Sequence, residues 1–326
     1  MSGTGSILRA MIVLRADPWA PEYGMGFEAR VDEPAGPADP SVETADWSRT
    51  IAPTARPLPS VSFVDGVRRV ELRLVADQDD VRAPGLFGSF AVGSVRCDGR
   101  AAFDEHRVGR AVVVGGGLAA ADQEVTAGGA RLCYRGFSEA SSDPDAPLER
   151  LQDLMRAEEN ALAARLAGSR SGLVIVDGPL RLGEPIDGPI VGAIKRFVRR
   201  YLEPEQDRLL GRLRAGERTP VFALLDEGRA TRGYSWYARV ADLTGPWHDR
   251  AGVVRCEVRA SLGLDASVVL ADRVTSLLPS FAGRAADPRT PQNLAPIAGL
   301  ESWLRHRMGD ARMIRRSLLT HLARRP

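Results

Sequence analysis

The run Leu173-Val174-Ile175-Val176 is apolar and rich in β-branched residues, and it delivers one carboxylate, Asp177, into the turn Gly178-Pro179-Leu180. Such residues favour a strand, and the Gly-Pro pair ends it. An acid at the mouth of an apolar strand is costly to bury unless a partner uses its charge. A second run, Val61-Ser62-Phe63-Val64-Asp65-Gly66, repeats the arrangement well upstream, and a helical segment carrying Glu158 and Glu159 lies between the two. Three acids on three elements suggest a metal site.

Composition narrows the partners. Forty-four Lys and Arg against forty-two Asp and Glu leave a net charge of +2, so any surface that attracts nucleic acid must be local. Most of the positive charge is Arg, whose planar fork holds phosphate, although a GC-rich genome gives the same bias. Cys97, Cys133 and Cys256 have no metal-type spacing, and an odd number does not suit a disulfide framework; a reducing cytoplasm fits best. The apolar stretch from Ile7 to Leu14 is short and broken by Arg9, and no run approaches the roughly 20 residues of a membrane helix. A soluble protein with no membrane partner is expected.

Asp32 to Pro59 is rich in Pro, Ala, Asp, Ser and Thr without periodicity and reads as an exposed extended segment. The expected organisation is therefore an N-terminal arm and extended segment over 1–60, then a main domain over 61–326. Strands are expected at Val61–Val64, Val70–Val75, Ser89–Val95, Arg110–Val114 and Arg131–Tyr134, mostly divided by glycine turns as in antiparallel hairpins. Pro147 opens a helix through about Leu166, with Leu148, Leu151, Met155, Leu162 and Leu166 on one stripe. Glu158 and Glu159 fall about 50° to either side of its centre, so the spacing does not choose between them. A strand at Leu173–Val176 follows, then a helix over Ile190–Tyr201 carrying Lys195, Arg196, Arg199 and Arg200. Strands at Thr219–Leu225, Tyr234–Ala241 and Val253–Ala260 and helices at Ala266–Leu278, Leu294–Met308 and Ala311–Ala323 complete the chain. A block of strands, a helix, a strand and a mixed second half suit an α/β or α+β layer fold.

Two divalent cations about 3.5 to 4 Å apart can activate water and neutralise the leaving oxygen in phosphodiester hydrolysis. Mg²⁺ and Mn²⁺ prefer carboxylates, so such a site needs acids converging from several elements. Asp65, Glu159 or Glu158, and Asp177 meet that need, in the chain order of acids in the ribonuclease-H-like fold. Against this stands the bland reading that each Asp-Gly is only a turn.

Val64-Asp65-Gly66, Arg156-Ala157-Glu158-Glu159, Val176-Asp177-Gly178-Pro179-Leu180 and Ile190-Val191-Gly192-Ala193-Ile194-Lys195-Arg196 resemble successive motifs of the NurA nuclease family, loosely over Val61 to Met308. The resemblance implies an α/β fold with a ribonuclease-H-like mixed sheet flanked by helices, with additional C-terminal strands and helices. It also implies a manganese-dependent (or magnesium-dependent) DNA exonuclease and endonuclease, a ring-like homodimer, and partnership with the hexameric HerA translocase in DNA end resection and repair. Asp65 and Asp177 would be metal ligands, Glu159 would complete the ligand set with Glu158 as its alternative, and Lys195 would approach the scissile phosphate. Arg196, Arg199 and Arg200 would track phosphates, or be plain surface residues.

One departure stands out. The family brings a further site residue, often histidine, from a proline-containing segment near the C-terminus, and Pro291 to Glu301 holds no histidine. Glu301 provisionally takes that place, with His306 as a second candidate, although Glu301 could equally cap or salt-bridge its helix. This gap supports an alternative: a catalytically weakened DNA-binding or translocase-docking subunit on the same fold. Gly115-Gly116-Gly117-Leu118-Ala119-Ala120 fits a dinucleotide fingerprint only if a helix follows, and Gly128-Gly129 would cut that helix short. The Tyr234–Tyr237 aromatics read as packing rather than a stacking platform.

Overall fold

The computed structural model describes residues 13–16, 37–55, 60–169, 172–180, 188–195, 201–243, 248–283 and 294–324. Its strands are β1 (Val13–Ala16), β2 (Ala38–Asp39), β3 (Val61–Gln78), β4 (Val81–Cys97), β5 (Ala101–Val114), β6 (Gln123–Ala127), β7 (Ala130–Ser138), β8 (Leu173–Asp177), β9 (Ile190–Ile194), β10 (Phe222–Leu225), β11 (Thr231–Arg239) and β12 (Val253–Arg259). The helices are α1 (Ala146–Ser169), the single turns α2 (Pro204–Asp207) and α3 (Leu209–Arg212), then α4 (Leu264–Leu277), α5 (Ala295–Arg307) and α6 (Ala311–Ala323).

Among the described residues twelve strands form one mixed sheet in the order β2-β10-β11-β12-β9-β8-β3-β4-β5-β7-β6, with β1 also on β3. The long β3-β4-β5 meander is antiparallel, whereas β8 and β9 lie parallel to β3. Helices cover both faces, and strand alternation decides which residues meet which helix. Val64, Val92, Val174 and Val176 pack under Leu151, Met155, Leu162 and Leu166 of α1. Phe63, Val67, Ala91 and Ile175 point the other way, against Leu270 and Val274 of α4 and Ile297, Leu300 and Leu304 of α5. Each fully buried leucine contributes about 1.5–3 kcal/mol. The chain is thus a mixed α/β protein with a large sheet flanked by helices.

Several local expectations need correction. Ile190–Ile194 is a strand rather than the start of a helix, bonded parallel to β8 and antiparallel to β12. Its five residues are all buried, and a slot between two strands outweighs the helical spacing of the basic residues that follow. Lys195 therefore sits at a strand end, not on a helix face, while Arg196, Arg199 and Arg200 lie outside the described residues. Val61–Val64 and Val70–Val75 belong to one 18-residue strand, with a register shift between Val70 and Leu72 that accommodates Glu71.

The described part of the N-terminal segment is tied to the sheet rather than free. β1 and β2 hydrogen-bond to β3 and β10. Glu43 grips the buried Arg218 guanidinium with both oxygens, at 2.8 and 2.9 Å. Gly115–Gly117 leads to β6 rather than a helix, so no helix N-terminus is offered to a dinucleotide there. Trp236 and Tyr237 are core residues. The three cysteines are free thiols, and among the described residues no helix is long and apolar enough to cross a membrane.

Candidate metal centre

Alternation along β3 sends Phe63, Asp65 and Val67 to the α5 side of the sheet. Parallel pairing of Val64 with Val176 brings Asp177, at the end of β8, beside Asp65 on that same side. α5 then lays Leu300 and Leu304 on this face, and the turn between them presents Glu301. One carboxylate oxygen from each of Asp65, Asp177 and Glu301 lies within 4.8 Å of the other two. Asp65 and Glu301 are 5% and 8% exposed, so water screens this crowding poorly.

The hydrogen bonding of Asp65 is incomplete. Its Oδ1 accepts from the Gly66 N–H at 2.8 Å, while Oδ2 is buried with no hydrogen-bond partner. Burial and the Asp177 charge push its pKa well above the ordinary carboxylate range; Glu159 and Glu301 add to the shift and Lys195 opposes it. An acceptor left bare among other carboxylates is a costly arrangement for the protein alone, and a hard cation relieves it. The donor set is all oxygen, which suits Mg²⁺ or Mn²⁺ and not a soft ion.

Glu159 reaches Asp65 from the α1 side. Gly66 is what allows this, since a Cβ there would overlap Glu159 Oε1 and stand 2.9 Å from Met155 Cγ. Glu159 is buried and repels Asp65, but it is outside the tight group of three. Glu158 points elsewhere: its carboxylate is held by Arg107 Nη1 at 2.8 Å on the half-exposed flank of α1. The structure thus separates the two glutamates that spacing left equivalent, and it places Glu158 away from the acids.

Lys195 Nζ donates to Asp177 Oδ2 at 2.6 Å, and both side chains are mostly buried. Beyond Asp177, Gly178 adopts φ 105°, a conformation that favours glycine, and its N–H bonds the Ala193 carbonyl. The next turn is pinned by Glu257, whose Oε1 accepts the Leu180 N–H at 2.6 Å while Oε2 meets the buried Arg255 at 3.0 Å. Sequence reading missed this pair. The available signal was two charged residues flanking Cys256 in an otherwise apolar strand.

Glu301 lies beside the two aspartates and is also paired within its own helix. It joins the carboxylate group, and its Oε2 accepts from Arg305 one turn on at 2.9 Å. His306 is exposed and does not belong to the group. The helix that carries Glu301 is clamped at its C-terminal end. Arg69 Nη1 donates to the Gly309 carbonyl at 3.0 Å, and Arg110 Nη2 to the Met308 carbonyl at 2.9 Å. Behind both arginines, Glu71 is buried, paired with Arg69 and accepting from Ser89 at 2.6 Å. Cations at a helix C-terminus also complement its dipole.

No protein-family model matches this chain, and no curated protein does. Among solved structures it is similar to endonuclease V of Ciona intestinalis, determined in complex with a 23mer DNA containing an inosine followed by a ribo-adenosine. That likeness has a TM-score of 0.29 at 9% identity, over 77% of this chain and 86% of the other. At that level it establishes neither a shared fold nor a shared activity.

Proposed function

We propose that this chain is a divalent-metal-dependent phosphodiesterase acting on DNA. The observation that carries the reading is the convergence of Asp65, Asp177 and Glu301 from three elements, with Asp65 Oδ2 buried and bare. Within that class, the reading that fits the motifs best is a NurA-like nuclease on a ribonuclease-H-like core. It would act as a homodimer with a HerA-type hexameric ATPase in DNA end resection. Its acids follow that order along the chain: Asp65 on β3, the hairpin strands, Glu159 on α1, then Asp177 on β8.

Asp65, Asp177 and Glu301 would hold Mn²⁺ or Mg²⁺, with Glu159 at their edge. When bound, such ions polarise the scissile phosphate and supply a nucleophilic water at neutral pH. Lys195 holds the Asp177 carboxylate in one orientation and keeps a positive charge beside the acids. Glu159 stands across Gly66 on the α1 face and acts on Asp65 through its charge. Glu301 would take the place where the family often has histidine, which would make this centre harder than one with an imidazole ligand.

A second reading is favoured by one observation: Lys195 and Arg305 already neutralise two of the three acids. The chain would then be a DNA-binding or translocase-docking subunit whose chemistry has weakened. Linear DNA incubated with the purified protein and Mn²⁺ or Mg²⁺ separates the two. The nuclease reading expects metal-dependent degradation that Asp177→Asn and Glu301→Gln abolish. Degradation by Asp177→Asn at the wild-type rate, with contaminating nuclease excluded, rejects it; DNA binding with no cleavage under any metal supports the second reading.

A further inference from the structure

Each carboxylate of the centre has one oxygen engaged by a donor of the protein's own. Asp65 Oδ1 accepts the Gly66 N–H at 2.8 Å, Asp177 Oδ2 accepts from Lys195 Nζ at 2.6 Å, and Glu301 Oε2 accepts from Arg305 at 2.9 Å. One oxygen from each acid makes up the group within 4.8 Å, and Asp65 Oδ2 is buried there with no hydrogen-bond partner. Oxygens bound at about 2.0–2.1 Å to one octahedral ion stand roughly 3 to 4.2 Å apart. The three therefore close onto a single Mg²⁺ or Mn²⁺ with shifts of about an ångström or less.

A pair of ions about 3.5 to 4 Å apart asks for more, since a carboxylate must turn one oxygen to each of them. All three acids that could form that bridge already commit an oxygen to a donor. The donors differ in how readily they yield. Arg305 is half exposed, and such pairs are weak. Lys195 and Asp177 are only 16% and 20% exposed, and their contact is short and charge-assisted. The backbone also fixes the lysine in place. Ala193 of β9 pairs with Asp177 of β8, and Ile194 pairs with Arg255 of β12. Lys195 follows directly, two residues beyond Ala193 and so on the same face as Asp177. Its ammonium is a compact point charge with three donors. Beside one bound ion it takes up the position, and part of the charge, of another.

We infer that the centre takes one divalent ion per chain, held by Asp65, Asp177 and Glu301, and that the Lys195 ammonium stands where a second ion would. The inference rests on the metal-centre reading and narrows it, departing from the two-ion arrangement that the order of acids suggests. Three protein oxygens leave about three positions of an octahedral ion to water and a phosphate oxygen. Lys195 is then the second positive charge available to that phosphate.

The test counts Mn²⁺ on the full chain by equilibrium dialysis after chelator treatment, alone and with a phosphorothioate DNA that resists cleavage. Electron paramagnetic resonance of the same samples reads whether a bound Mn²⁺ is isolated or exchange-coupled to a neighbour, which sets the centre apart from scattered surface acids. The wild type should bind one Mn²⁺ at the centre, with the spectrum of an isolated ion. Lys195→Arg keeps the cation and should do the same. Lys195→Met keeps most of the length but no charge, so the count should rise to two and coupling should appear. A coupled pair in the wild type, with or without DNA, overturns the inference. So does a Lys195→Met protein that folds as the wild type by circular dichroism and stays at one ion; if that variant unfolds, the wild-type spectrum decides. A wild type that binds one ion but never cuts DNA keeps the count and rejects the nuclease. One that binds a coupled pair and cuts does the reverse, and one that binds no ion rejects both.

Discussion

Replacing Asp65 by Asn should stabilise the metal-free protein and remove its response to metal. Without an ion, Asp65 buries an oxygen that no donor reaches, beside three other acids. Its pKa lies well above the unfolded value of about 3.9. From about pH 3.9 up to the folded pKa, the folded chain therefore keeps a proton that the unfolded chain has lost. Metal-free stability is unpenalised below about pH 3.9, falls as pH rises through that window, and stays reduced above it. Asn carries no charge and turns an N–H toward the neighbouring carboxylates, so at pH 7 Asp65→Asn should melt above the wild type in EDTA. Mn²⁺ should reverse the order. A ligand at about 100 times its Kd adds about 2.7 kcal/mol. At about 2 °C per kcal/mol for a chain this large, wild-type Tm should rise by about 5 °C while Asp65→Asn stays put. Thermal unfolding followed by circular dichroism across a Mn²⁺ titration reads both effects. A wild-type Tm indifferent to Mn²⁺ and Mg²⁺, or an Asp65→Asn variant that melts lower in EDTA, refutes the reasoning.

Lys195→Ala should lower kcat for DNA cleavage by about 10²- to 10³-fold, because the cation fixing Asp177 is lost at a buried site; steady-state rates at saturating metal check this, and an unchanged kcat rejects it. Glu71→Ala should cost about 3–5 kcal/mol in urea unfolding, since it strands Arg69 and Arg110 beside a buried hole; a cost below about 1 kcal/mol would mean water replaces the carboxylate. Glu158→Ala removes only a partly exposed ion pair with Arg107 and should change stability by less than about 1 kcal/mol with cleavage retained, whereas Glu159→Gln should impair cleavage; equal rates for the two variants would contradict the placement of Glu159.

What the sequence exposed and what it hid follow from the range of each interaction. The strand ending in Asp177 is visible because β-branched residues and the glycine turn that follows are local signals; the Val61–Val64 run is visible by the same residues, but Gly66 makes no turn and β3 runs on to Gln78. α1 is visible through its leucine stripe. Ile190–Ile194 reads as helix because its neighbours are basic at helical spacing, yet the slot between β8 and β12 exists only once the sheet forms. Glu158 and Glu159 are equivalent by angle, and they are told apart by Arg107 on one side and the missing side chain of Gly66 on the other. Glu301 has a local partner in Arg305, so the salt-bridge reading is sound. Its membership of the acidic group depends on how α5 crosses the sheet, which no short-range pattern encodes. Glu71 within β3 conflicts with an apolar strand, and its resolution comes from Arg110 and Ser89 on other strands.

The clamp on α5 has a consequence for biosynthesis. Arg69 and the Gly309 carbonyl it holds are 240 residues apart. At 5–20 residues per second, roughly 12 to 48 s separate their emergence from the ribosome. In the later part of that interval, once Asp177 has followed Asp65, the nascent chain has both aspartates but not the helix that carries Glu301. The group of three carboxylates is thereby completed only when α5 packs onto strands made long before it, and a chain arrested ahead of α5 would lack one of the three.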